Sequence, residues 1–546
     1  METNQKTTFI KGAAILAIAG LICKLLGVFI RIFAVRIIGE KGMFYYEVVF
    51  PTYSWLLIIS SSGIPTAISR LVAERVSVGN YYGARRVFRW ALLLLTLIGA
   101  ATSGLMFFAA PWLGETVLNG GEGAKYAMMA LAPALLFVSM MCAFRGYLQG
   151  LQQMTGTSVS QFTEQIFKMI FGLLLAWLLF RKFSNTDFCY AAGATGLLLG
   201  VTISEILSLF VIIIFYVVAR IRQNAIQVPL QVESGKSDLV FGRLIVIAIP
   251  ITLGASILPI ANVLDSVMIK RLLEGIGFIK DDAELNYTAL CTYVRSIINM
   301  PATLTVGISM SVVPAISAAR ARGDHKNVRN LSLLSLKIAM AIGLPCAVGL
   351  SVLAGPIIKL LYSRITPEAF AIAEPLMQVA AFTVIFISLV QTSTGALQGA
   401  GKHWLPMIFL LIGGVTKIIV NFIFIPMKEI NILGAVFSNL ACFGVAGILD
   451  TISLLRVTKA KINMLDTFLK PILASALMGG AARGVQKLLS SIEIFKSGIM
   501  SRVATVVAIL VAVVVYASFT LLFAMFTKEE LTYIPGGRKL ARFARR

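Results

Sequence analysis

Long runs of apolar residues recur along the whole chain, separated by short connections that carry most of the charge. A transmembrane helix needs about 20 such residues to cross a hydrocarbon core about 30 Å thick. The pattern predicts about fourteen spanning helices, over roughly 11–38, 43–70, 88–113, 125–151, 157–181, 188–219, 239–271, 286–317, 330–353, 369–398, 403–426, 432–456, 465–489 and 499–526. The runs are too long, and alternate too little, for transmembrane strands of about 10 residues. The first run is too long for the apolar stretch of a signal peptide and lacks a small-residue cleavage site, so it reads as a retained helix. The expected fold class is an all-α integral membrane protein.

Composition agrees: 58% of the 546 residues are hydrophobic and 13% charged, against about 25% charged in soluble domains. The net charge of +23 sits mainly at helix ends, where it obeys the positive-inside bias rather than marking a nucleic-acid surface. Arg75, Arg85, Arg86 and Arg89 follow the second span. Arg220, Arg222 and Lys236 follow the sixth, Arg320, Arg322, Lys326 and Arg329 the eighth, and Arg456, Lys459 and Lys461 the twelfth. Glu115 and Glu122, and Asp281, Asp282 and Glu284, mark connections on the opposite side. This alternation predicts a multi-pass protein of the cell membrane with both termini in the cytoplasm. One connection dissents, because Arg483, Lys487 and Lys496 lie in the thirteenth-to-fourteenth connection, assigned outside. The six cysteines are scattered without C-x-x-C spacing and the two histidines lie in basic connections, so no metal site or disulfide framework is expected. No phosphate-cradling Gly-Lys-Ser/Thr loop is present, so ATP is not an expected substrate and no cofactor is implied. Intramembrane carboxylates are few and scattered, which argues against an enzyme.

An internal repeat organises the spans. Gly63-Ile-Pro-Thr-Ala-Ile-Ser, with Gly79-Asn80 beyond it, matches the stretch from Gly307 with Gly323-Asp324, at a constant offset of 244 residues. Gly146-Tyr-Leu-Gln-Gly150 matches Gly395-Ala-Leu-Gln-Gly399 at an offset of 249, which places Lys168 on Lys417. The repeat predicts an N-terminal six-helix lobe over 1–220, a C-terminal six-helix lobe over 239–457, two additional helices over 465–526 and a basic cytoplasmic tail over 527–546. Six spans is an even number, so both lobes enter from one side and form a parallel repeat, with a substrate site expected at their interface.

Leu26-Gly27, Arg31, Arg36-Ile-Ile-Gly39, then Gly63-Ile-Pro65, Ser69-Arg-Leu-Val-Ala-Glu74 and Arg145-Gly-Tyr-Leu-Gln-Gly150 together resemble the MOP exporter superfamily. Within it the chain looks most like the stage V sporulation protein B type and the related MurJ-type lipid II flippases. The resemblance covers nearly the whole chain. It implies a MATE/MurJ-like fold with two C-terminal helices forming a groove toward lipid. It also implies export of undecaprenyl-pyrophosphate-linked saccharides by alternating access, with lipid II for cell wall or spore cortex as the favoured cargo. The implied partners are the lipid-linked saccharide, membrane lipids and cell-wall synthesis proteins. Competing readings are a flippase for teichoic or capsular units, a MATE-type cation or drug antiporter, and a non-transporting scaffold.

Lys24 and Arg31 lie well inside the first span, where a cation costs about 2.5–3.5 kcal/mol on insertion scales. Seven residues apart, they share nearly one helix face about 10 Å apart along the axis. Facing a cavity, they would suit an anionic head group, Arg gripping phosphate bidentately and Lys as a point charge. MurJ-type members line their cavity with basic residues in the first, second and eighth helices. By that resemblance Lys24 and Arg31 fall on or beside first-helix positions and Arg295 near the eighth-helix one. The second-helix arginine is missing, since Pro51 is followed by Thr-Tyr-Ser-Trp-Leu-Leu-Ile. Glu164 and Lys168 stand at i and i+4, the favourable order for a helix ion pair. Glu205 is a mid-span acid that can serve Arg145 or Lys168, or couple protons. Asp265, with Asn262 and the helix-breaking Pro250 and Pro259, can bind a cation or pair with Lys417. The resemblance to sodium-binding relatives is weakened by Lys417 itself, which would repel sodium.

Overall fold

The computed structural model describes the backbone of residues 2–225, 239–495, 498–527 and 530. Side chains are described there except at 2–19, 21, 24–25, 222–225, 239–241, 243, 247, 250, 304, 308 and 310–311. Lys24 therefore lies outside the described side chains, as do Arg222, Lys236, Lys496 and the basic tail beyond residue 530.

Among the described residues every regular element is a helix. This is what lipid demands, because a helix satisfies its backbone polar groups within one segment. The chain forms two compact units, Met1–Lys270 and Arg271–Arg546. The division falls at the end of the seventh span, beyond the 221–238 connection at which the sequence repeat begins anew.

The first unit holds α1 (Glu2–Ser61), α2 (Gly63–Ser77), α3 (Tyr81–Pro111), α4 (Gly121–Gly150), α5 (Met154–Lys182), α6 (Cys189–Ala225) and most of α7 (Leu239–Gly275). No loop separates the first and second spans. They meet inside α1 at Gly39, whose φ of 62° and ψ of −174° interrupt the helix. Only glycine occupies that region of backbone space readily. Packing in this unit centres on Phe88, whose ring lies 5.1 Å from Phe144, 5.0 Å from Tyr147 and 4.8 Å from Tyr216. Rings and small residues of this kind hold helices together by contact, since lipid supplies no hydrophobic drive between them.

The second unit continues with α8 (Lys280–Thr288), α9 (Ser296–Ala321), α10 (His325–Val352), α11 (Ala354–Leu361), α12 (Pro367–Ala380), α13 (Thr383–Gly399), α14 (Trp404–Phe424), α15 (Leu433–Thr458), α16 (Lys470–Ser491) and α17 (Gly498–Leu522). A π-helical stretch, Ala289–Arg295, joins α8 to α9. Within it the buried Tyr293 ring stands 4.7 Å from the buried ring of Tyr362. The tenth span is broken, with α12 and α13 bent by 47°.

Eleven described helices are long and apolar enough to span, or twelve with the bent pair as one. Two features separate this number from the fourteen runs. The first two spans are continuous through Gly39 and register as one, and α16, with Lys470, Arg483 and Lys487, is too polar to register.

The repeat is visible atom by atom. Gly79 and Gly323 have φ of 77° and 72°. The residue after each caps the next helix: the Asn80 carboxamide oxygen accepts from Gly83 N at 2.6 Å and the Asp324 carboxylate from Asn327 N at 2.9 Å. At the second match, Gln153 N donates to Leu148 O at 2.9 Å and Lys402 N to Leu397 O at 2.8 Å. The two motifs also pack on one another in the same way in each unit. A Cβ on Gly146 would lie 2.9 Å from Pro65 O, and one on Gly150 would lie 2.7 Å from Val72 Cβ. A Cβ on Gly395 would collide with Ser309, and one on Gly399 would lie 2.9 Å from both Ile316 Cβ and Val313 O. Pro65 and Ser309, like Val72 and Ile316, are 244 apart.

Candidate functional site

Charged residues inside the first unit converge on the faces that α1, α4, α5 and α6 turn to one another. Arg31 and Glu47 belong to the two halves of α1. In an unbroken helix their Cα atoms would be about 24 Å apart, at 1.5 Å per residue. The break at Gly39, midway between them, brings Arg31 Nη1 to 3.2 Å from Glu47 Oε1. The Arg31 guanidinium also lies 5.6 Å from the centre of the Tyr46 ring. Gly39→Ala is expected to cost about 2 kcal/mol by backbone strain and to pull this pair apart. A lowered thermal unfolding midpoint in detergent would register the first effect. A cysteine cross-link between the halves of α1 would report the second.

The second group is larger. Arg145 on α4 donates from Nη2 to Ser160 Oγ at 2.8 Å and to Glu164 Oε2 at 3.0 Å. Lys168 Nζ stands 3.5 Å from Glu164 Oε1 and 3.7 Å from Glu205 Oε1 on α6. The other Glu205 oxygen is buried with no hydrogen-bond partner. Cys23 ties the first span to this group, its Sγ donating to Gln161 O at 3.5 Å. Tyr46 lies within electrostatic reach of both Arg31 and Lys168.

Burial is unequal across these pairs. The Arg31 and Lys168 side chains are each 20% exposed, whereas Glu47 is 6% and Glu205 2% exposed. In each pair the acid is the more deeply buried partner. Each cation is held in place by a buried carboxylate, so its guanidinium or ammonium is positioned before any ligand arrives. Pairing also lowers the cost of carrying the charges into a low-dielectric interior.

Of the residues singled out from sequence, Glu164, Lys168 and Glu205 come together here, joined by Arg145. Glu205 meets Lys168, and Arg145 turns to Glu164. Arg295 ends the π-helical stretch in the second unit and is half-buried. Asp265 is buried in α7 of the first unit, and Lys417 is buried in α14 of the second together with Asn421. Glu47 is one residue that sequence reasoning missed. Its signal was available, since a carboxylate inside the second apolar run is as anomalous as Lys24 and Arg31 in the first. Lys270 was also missed. It is buried at the end of the seventh span, donating to Leu118 O at 2.6 Å and Asn119 O at 3.1 Å, with its ammonium 4.5 Å from the centre of the Phe44 ring.

A family model described as "Polysaccharide biosynthesis protein" matches residues 9–320, more than half of the chain. One described as "MatE" matches residues 286–423. Among known proteins, the stage V sporulation protein B of Bacillus subtilis (strain 168) is 24% identical over 530 residues, covering 97% of this chain and 98% of that protein. The lipid II flippase MurJ of the same organism is 24% identical over 524 residues, covering 93% and 94%. Its uncharacterized membrane protein YabM is 26% identical over 543 residues, covering 98% and 96%. Among solved structures, a lipid II flippase MurJ in an inward closed conformation matches with a TM-score of 0.67 at 18% identity, covering 93% of this chain and 98% of that one. An inward-facing multidrug resistance MATE family transporter matches with a TM-score of 0.64 at 14% identity, covering 81% and 98%. At these identities the structural likeness shows a shared fold.

Proposed function

The chain belongs to the polysaccharide biosynthesis protein family, within a superfamily of multi-pass membrane transporters and flippases rather than enzymes, and from that premise we propose that it moves a lipid-linked saccharide across the cytoplasmic membrane. The favoured cargo is an undecaprenyl-pyrophosphate-linked unit, with lipid II for cell wall or spore cortex first among them. The termini lie in the cytoplasm, and the head group enters from that side by alternating access. The lipid-linked saccharide and the surrounding lipids are the partners, with cell-wall synthesis proteins beside them.

One observation carries this reading: the part-exposed cations Arg31 and Lys168 are paired with the buried acids Glu47 and Glu205. A diphosphate needs cations fixed before it arrives, and a guanidinium presents paired donors that match phosphate geometry. Holding Arg31 through Glu47 lowers the side-chain entropy lost when the head group docks. Lys24 and Arg295 are proposed as further head-group contacts.

The test is export by single variants whose insertion in the membrane has been verified. Arg31→Ala and Lys168→Ala are each expected to lower outward lipid II exposure at least tenfold, about 1.4 kcal/mol in the transport step, with precursor accumulating inside. Arg31→Lys should retain part of the activity. Normal exposure in both alanine variants would sink the mechanism. Accumulation of a teichoic or capsular precursor instead of lipid II would reassign the cargo.

A further inference from the structure

The second unit carries an acid that the head-group reading does not use. Asp450, on α15, is 1% exposed. Its Oδ2 accepts from Thr394 Oγ1 on α13 at 3.1 Å, while Oδ1 is buried with no hydrogen-bond partner. Next to these two residues in sequence, Ser393 Oγ and Thr451 Oγ1 stand 3.3 Å apart across the same two helices. The joint between α13 and α15 thus holds one carboxyl group, bonded to one hydroxyl, and a second pair of hydroxyls.

No cation accompanies it. Helix α13 contains no ionisable residue. Of the other helices packed on α15, α14 contributes Lys417, α12 contributes Glu368 and Glu374, and α10 contributes His325, Lys326, Arg329 and Lys337. On α15 itself stands Arg456. Among the described residues none of these forms an ion pair with Asp450, and Lys337 is held 2.7 Å from Glu530.

The repeat makes the absence specific. Thr394 precedes Gly395 as Arg145 precedes Gly146. In the first unit that position supplies a guanidinium to a half-buried acid, Glu164. In the second unit it supplies only a hydroxyl. An ionised carboxylate buried without a countercharge is far too costly in a membrane interior, and the group resolves this by taking up a positive charge.

We propose that Asp450, held by Thr394, is a proton-binding site of the second unit that is loaded and unloaded during transport. The proton resides on Asp450 Oδ1, and Thr394 fixes the other oxygen, so only one oxygen exchanges. Release ionises the carboxyl group in the joint between α13 and α15, which favours a different packing of these two helices. The site's role in transport rests on the function proposed above. Its proton binding does not.

Two measurements separate them. In the first, the full-length protein in detergent is unfolded thermally from about pH 5 to about pH 8, in sodium-free buffer and again with sodium chloride. The wild-type midpoint is expected to shift more with pH than that of Asp450→Asn, with sodium causing no further change. Equal pH dependence in both proteins would overturn the proposal, whatever the cargo. A midpoint that depends on sodium in the wild type alone would make the ligand sodium and also overturn it. In the second, lipid II export by cells energised at about pH 6 and about pH 8 is expected to differ by at least about threefold for the wild type and not for Asp450→Asn. Retention of the wild-type pH profile by the variant would remove the site from transport while leaving the binding result intact.

Discussion

Arg145→Ala is expected to be among the most damaging single truncations in the first unit. Its guanidinium bridges Ser160 and Glu164, and removing it leaves two carboxylates, the half-buried Glu164 and the buried Glu205, facing the single ammonium of Lys168. Breaking one side of a buried pair costs about 3–5 kcal/mol, mostly because the remaining charge stays buried. The unfolding midpoint in mild detergent should fall sharply, together with the amount of monodisperse protein. Adding Glu164→Gln removes the stranded charge and should recover most of the loss. A double variant as unstable as Arg145→Ala alone would show that Arg145 acts by packing rather than by charge.

The second large effect is expected at Gly150 and Gly399. Each sits where two helices approach so closely that a Cβ would stand 2.7–2.9 Å from atoms of the facing helix. Valine adds two further carbons in the same place. Overpacking of this kind costs about 1–3 kcal/mol and occasionally more, and backbone atoms of the facing helix have little room to yield. Gly150→Val and Gly399→Val should each lower the unfolding midpoint, and by similar amounts, because the two joints are copies. A large loss in one with none in the other would mean that the duplicated joint has lost its structural equivalence.

These two predictions differ in how far the sequence foretold them. The Gly146/Gly150 and Gly395/Gly399 pairs were legible as a repeated motif from the letters alone, and the structure showed which helix each packs on. Glu164 and Lys168 were equally legible, because four residues along one helix place two side chains on one face whatever surrounds them. Arg145 with Glu164 is a different matter. Nineteen residues separate them, and their meeting depends on how α4 and α5 cross. Arg31 and Glu47 depend on a single dihedral pair at Gly39. Asp450 and Thr394, 56 residues apart, meet only through the packing of α13 on α15.

Apolar run length, charge asymmetry between connections and near-constant repeat offsets determined, by themselves, that the chain is a duplicated helical membrane protein. In lipid every backbone polar group must be satisfied within its own segment, which leaves the chain few alternatives. Which buried charges are paired, and which carboxyl group stands alone, was decided by tertiary structure. Electrostatic cost in a low-dielectric interior is set over a few ångströms, and those distances follow from one glycine kink and a few helix crossings.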